Sequence, residues 1–224
     1  MERSNVLASI YDIGIVPVVR TGSADTAFRC VEALLRGGIH AAEIPMTVPG
    51  AVDVLGHAAE RFGDDMVLGA GTVLDAKSAR ACLLAGAQFL VAPCLRLETV
   101  EMARRYSRVV MPGALTPTEV LAAWEAGADA VRIVPCDAMG GVKYIRSLRA
   151  PFPHIDMIAT GGVSVENVGE FLRAGAKAVG VSGALIDSAS LRDGHYEVFT
   201  VRAKRFVEAI QRAREAMHHN HLTG

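Results

Sequence analysis

Ala130-Val131-Arg132-Ile133-Val134-Pro135-Cys136 follows the turn Ala126-Gly127-Ala128 and runs into the glycine pair Gly140-Gly141. A short apolar run closed by proline reads as a buried strand. The glycine before it stands where a helix needs a left-handed residue to end. The same unit of helix, glycine turn and apolar strand recurs. Arg36-Gly37-Gly38-Ile39 leads to a strand over 41–45, Ala85-Gly86-Ala87 to one over 89–93, and Ala174-Gly175-Ala176 to one over 178–181. Further apolar runs at 15–19, 66–70, 109–112 and 157–160 fill the gaps between 130–135 and the others, giving eight strands. A helical pattern follows each strand, over 23–36, 51–61, 76–85, 97–106, 117–126, 142–148, 165–174 and 198–216. Alternating strands and helices with right-handed crossovers predict an α/β fold, a single closed (β/α)8 TIM barrel. An open doubly wound sheet is the alternative, disfavoured because no G-x-G-x-x-G follows the first strand.

The composition agrees. The chain has 224 residues, close to the size of one such barrel. Its hydrophobic content of 51% with only 5% aromatics suits strands of Val, Ile, Leu and Ala buried on both faces. A net charge of −1 gives no electrostatic reason to expect nucleic acid or an anionic membrane as partner. No apolar run approaches the ~20 residues of a membrane span. Residues 1–12 lack the charged start and long apolar stretch of a signal peptide, so a cytoplasmic protein is expected. Cys30, Cys82, Cys94 and Cys136 are widely spaced, with no C-x-x-C, which predicts free thiols in a reducing compartment. No linker divides residues 1–217, which read as one barrel domain. The stretch 218–224 reads as a polar, disordered tail rather than a metal site, because its histidines lack a partner cluster at ligand spacing.

Chemistry in such barrels sits at the carboxyl ends of the strands. That rule selects Arg20, Glu43, Thr72, Pro93, Arg132, Thr160 and the segment 181–184. Alternation along the strand puts Ala130, Arg132 and Val134 on one face and Val131 and Ile133 on the other. The bulkier pair should face the helices, which turns Arg132 into the barrel mouth. Two readings of Glu43 follow. It is a proton-transfer group, or it is the carboxylate that a buried, permanently charged arginine requires.

Several short motifs stand in a specific order. They are Ala42-Glu43-Ile44, Gly69-Ala70-Gly71-Thr72-Val73, Met111-Pro112-Gly113, Thr116-Pro117-Thr118-Glu119, the run from Pro135 to Gly141, and Thr160-Gly161-Gly162-Val163. From about residue 15 to 213 the chain resembles the 2-keto-3-deoxy-6-phosphogluconate (KDPG) and 4-hydroxy-2-oxoglutarate aldolases. The resemblance implies cleavage of KDPG or a related keto-deoxy sugar acid to pyruvate and an aldehyde, with no cofactor and no metal. It implies a small-molecule keto acid or phosphorylated sugar acid as ligand, and a homotrimer.

Site residues carry over by position. The family's Schiff-base lysine falls on Arg132, whose guanidinium has no lone pair to offer a carbonyl carbon. The family's acid/base glutamate falls on Glu43. Arg20, Thr47, Thr72, Pro93 and Thr160 are the implied substrate contacts, with Thr72 on the keto acid carboxylate. Gly161, Gly162, Ser182 and Gly183 are the implied phosphate site, although related sequences read Gly-Ser where this one has Ser182-Gly183. Lys77, Lys143, Lys177 and Lys204 are the only lysines. Of these, only Lys143 starts at the correct end of the barrel, and a residue opening a helix points outward. Two rivals to the aldolase stay open. One is an impaired member that binds a keto acid or phosphate, or serves as a structural oligomer. The other is an altered keto acid reaction in which Arg132 stabilises an enolate electrostatically.

Overall fold

The computed structural model describes residues 1–63 and 65–222. The chain opens with helix α1 (Arg3–Ile13), then β1 (Ile15–Pro17), α2 (Ala24–Arg36), β2 (Ala41–Pro45) and α3 (Ala51–Phe62). It continues with β3 (Val67–Gly71), α4 (Ala76–Leu84), β4 (Phe89–Ala92), α5 (Leu97–Arg105), β5 (Val109–Ala114) and α6 (Pro117–Glu125). After β6 (Val131–Ile133) come a 3-10 turn (Asp137–Met139), α7 (Val142–Arg149), β7 (Met157–Thr160), α8 (Val168–Arg173) and β8 (Ala178–Val181). Two helices, α9 (Ser188–Arg192) and α10 (Tyr196–Leu222), complete it.

All eight strands pair in parallel in the order β1-β8-β7-β6-β5-β4-β3-β2. The seam between β1 and β2 is drawn together just past β1. Val18 bridges Glu43, and the Val19 N–H donates to the Glu43 carbonyl at 2.8 Å. The barrel predicted from the strand–helix alternation is therefore the fold.

The strands divide two apolar layers. Val131 and Ile133 belong to the layer between strands and helices, while Ala130 joins Val16, Phe89, Val91, Met111 and Ile158 inside the barrel. Burial of both layers away from water is the main stabilising term of such a fold. Val6 and Ile10 of α1 pack into the inner layer, so α1 closes the amino end of the barrel. Three of the glycine turns carry the left-handed residue that ends a helix: Gly86, Gly127 and Gly175 have φ of 103°, 96° and 102°. In the first unit, Gly38 at φ 84° takes that role rather than Gly37.

Several boundaries differ from the sequence reading. Strands β4 and β6 stop short of their prolines, which have no N–H to give a ladder. Helix α8 begins at Val168 because the preceding turn is held by side chains: the Ser164 N–H donates to Asn167 Oδ1 and Asn167 Nδ2 to the Gly162 carbonyl, each at 2.8 Å. Helix α10 runs to Leu222, so the stretch read as a disordered tail is helical up to that residue, and 223–224 lie outside the described residues. Helices α1 and α9 and the 3-10 turn were not anticipated. The four cysteines are free, with Cys94 exposed and the others buried. Among the described residues, no helix is long and apolar enough to cross a membrane.

Candidate active site

Glu43 leaves β2 and Arg132 leaves β6 toward the barrel interior, and they meet there. Arg132 Nη1 donates to Glu43 Oε2 at 2.5 Å, with side-chain exposures of only 9% and 3%. Arg132 Nε donates to Thr160 Oγ1, from the end of β7, at 2.9 Å. The salt bridge named above as one reading of Glu43 is thus present, and it is almost dry.

Two glycines make room for it. A Cβ on Gly71 would collide with the Glu43 carboxylate, and one on Gly180 would collide with the Thr160 hydroxyl and press on Arg132 Nη2. Glycine inside a strand marks such a close approach. Gly180 was a signal the sequence reading did not use.

Above the pair opens a cavity of about 150 Å³ whose wall includes Arg20, Glu43, Thr72, Pro93, Arg132, Thr160 and Ser182. Seven candidates, each from a different strand or the loop just after it, converge there. Thr72 holds φ at 56°, a conformation that a β-branched residue adopts only under strain. It is not a helix cap; Asp75 caps α4, accepting from the Ser78 N–H at 2.8 Å. Arg20 is exposed and has no ion-pair partner among the described residues, so its charge is available at the rim. Ser182 reaches the same wall despite its order relative to Gly183.

Other candidates lie off this wall. Thr47 is exposed in the loop after β2. Gly161 and Gly162, at φ 109° and 70°, form the loop after β7 and pack against Asp137, which a Cβ on either would strike. Gly183 faces open space.

The four lysines are exposed, and none lines the cavity. Lys143 points outward from α7, and Lys177 pairs with Asp156 at 3.7 Å at the other end of the barrel. A larger pocket of about 590 Å³ lies at that end, beside Tyr11, Arg149 and Arg214. Size does not make it the site. Its Arg214 is committed to the carbonyls of Tyr11 and Asp12, where α1 ends, and Arg149 to the Ile155 carbonyl at 2.7 Å. No group of three potential metal ligands occurs among the described residues, and the cavity wall offers Glu43 as its one carboxylate.

The chain is similar to known proteins over most of its length. A model of the KDPG and KHG aldolase family matches residues 6–201. The 2-dehydro-3-deoxy-6-phosphogalactonate aldolase of Escherichia coli (strain K12) is 32% identical over 198 residues, covering 88% of this chain and 96% of that protein. A solved structure described as native KDPGal superposes with a TM-score of 0.83 at 32% identity, over 90% of this chain and 96% of the other. A cube-shaped protein cage, designed by fusing symmetric oligomeric domains, superposes with a TM-score of 0.86 at 31% identity, over 94% of this chain and 76% of that one. An eight-stranded barrel matched by that family model over residues 6–201, this chain belongs to the KDPG and KHG aldolase family.

Proposed function

We propose that this chain is an aldolase-type lyase that cleaves KDPG or a related keto-deoxy sugar acid to pyruvate and an aldehyde. One observation carries the reading: the Glu43 carboxylate lies at the floor of a cavity at the carboxyl end of this family's barrel, 2.5 Å from a fixed positive charge. A keto acid brings a carboxylate, a carbonyl and a hydroxyl to such a place. Arg20 and Thr72 at the rim are suited to its carboxylate, and Pro93 limits its width. Ser182, with the backbone of Gly161, Gly162 and Gly183, is suited to a terminal phosphate, because loops after the last two strands present free N–H groups in such barrels. Thr47, exposed in the loop after β2, is kept as a substrate contact on its family position alone. The homotrimer and the cytoplasm remain part of this reading, supported by the family resemblance and, for self-association, by the cage of symmetric oligomeric domains.

The test is pyruvate release followed with lactate dehydrogenase. It compares KDPG, its galactonate epimer and the unphosphorylated 4-hydroxy-2-oxoglutarate. We expect cleavage of at least one, with the phosphorylated pair preferred and inorganic phosphate competing. Absence of release from all three would remove the reading.

A further inference from the structure

We propose that Arg132 and Thr160 form an anion hole for the enolate oxygen of a bound 2-keto acid, with Glu43 moving the proton, so that carbon–carbon cleavage here needs no imine. This rests on the lyase reading above and says how that reaction proceeds on this chain.

An imine requires a neutral amine facing the cavity. Lys77, Lys143, Lys177 and Lys204 are all exposed and off its wall. Arg132 is on the wall but stays protonated and has no free lone pair. What it does offer is a fixed charge at a nearly dry point, 7% exposed. Preorganised charge in such a place is the usual means of stabilising a developing oxyanion.

Two of the three guanidinium nitrogens are engaged, and it is Nη1, on Glu43, that lies at the cavity wall. Arg132 uses Nη1 on Glu43 and Nε on Thr160, while Nη2 has no protein acceptor among the described residues and lies beside Gly180. The Thr160 oxygen accepts from a donor that never loses its proton, so the hydroxyl hydrogen is left to donate elsewhere. Thr160 borders the cavity, which makes the ligand its acceptor. Glu43 has one oxygen engaged. Oε1 accepts no hydrogen bond and lies over Gly71. Because no buried side-chain oxygen lacks a partner among the described residues, Oε1 keeps access to the cavity.

The step balances as follows. Glu43 takes the proton of the C4 hydroxyl, the C3–C4 bond breaks, and C4 leaves as an aldehyde. The electron pair of that bond becomes the C2–C3 double bond, and the negative charge settles on the C2 oxygen. Glu43 then returns its proton to C3, giving pyruvate. At each stage the negative charge beside Arg132 is either on Glu43 or on the enolate. As Glu43 is protonated it releases Nη1, and the enolate oxygen becomes its new acceptor. The buried site never carries an unbalanced charge, which is the costly condition.

The experiment has two readouts on the purified protein with pyruvate. The first is deuterium uptake at C3 in D2O, read by proton NMR. The second is borohydride trapping, read by intact mass. Exchange without a trapped adduct is expected for the unaltered chain. Arg132→Gln should lower exchange by roughly 10²–10³-fold, the effect of removing one oxyanion donor. Thr160→Val should lower it as well, and it keeps the ion pair, so it carries the test if Arg132→Gln fails to fold. Arg132→Lys should gain the adduct. A borohydride adduct on the unaltered chain would overturn the proposal, as would unchanged exchange in folded Thr160→Val. If the unaltered chain neither exchanges nor cleaves while Arg132→Lys does both, the anion hole and the lyase reading of this chain both fall and only the substrate pocket is upheld; an adduct on an unaltered chain that cleaves removes the anion hole alone. If neither protein cleaves any of the three substrates, both readings fall.

Discussion

Glu43 and Arg132 present two charges in a place where each alone would be strongly unfavourable. Their attraction at 2.5 Å, with Thr160 accepting from the guanidinium Nε, offsets the loss of hydration only while all three are present. Glu43→Ala should therefore destabilise the fold by about 3–5 kcal/mol, since it strands a buried guanidinium. Replacing both residues with Leu and Met should come back close to the starting stability. Urea unfolding midpoints of the single and double variants test this. A Glu43→Ala protein within roughly 0.5 kcal/mol of the parent, the range of an ordinary surface change, would show that water already reaches the guanidinium. At this scale the sequence was legible where a strand's period of two applied. Arg132 faced inward because Val131 and Ile133 had to face the helices. Thr47 was not legible, because loop residues follow no period, and the family position alone placed it in the site.

Elements were legible in proportion to their repetition. Strand after glycine turn announces itself four times, so one weak copy is carried by the others. Helix α1 has no such support. Its buried residues are Val6 and Ile10 alone, one contact row on a short helix, too few to stand out as an apolar face. Yet Ile10 is fully buried among residues of the inner barrel layer. Ile10→Ala should destabilise the protein by about 2–5 kcal/mol, as for other large-to-small changes in a core. A thermal melt of that variant decides it. A loss below roughly 0.5 kcal/mol, too small for such a core truncation, would mean that α1 is an ornament on the barrel end rather than its closure. The same reasoning explains α9 and the 3-10 turn, which are too short to carry a period.

For the whole molecule, the open question is whether 1–217 behaves as one cooperative domain, as we propose. Three cysteines report on it from separate places: Cys30 in α2, Cys82 in α4 and Cys136 just before the 3-10 turn, all in the layer between strands and helices. Burial pushes the Cys30 thiol up to about 12 and holds Cys82 and Cys136 at about 11. At pH 8 each is overwhelmingly protonated as well as shielded, and only a thiolate reacts with a disulfide reagent. Cys94 is exposed beside the cavity rim. One thiol should therefore react at once in the native protein, and the other three only as fast as the barrel opens. If the barrel is one unit, those three should share a single slow rate and become fast together at the urea midpoint. A mass spectrum showing one of the three modified alone, well below the midpoint, would reveal a part of the barrel that opens by itself. Reaction at Cys136 would implicate the β6–α7 segment next to Arg132; reaction at Cys30 or Cys82 would place the weak point on the opposite half of the barrel.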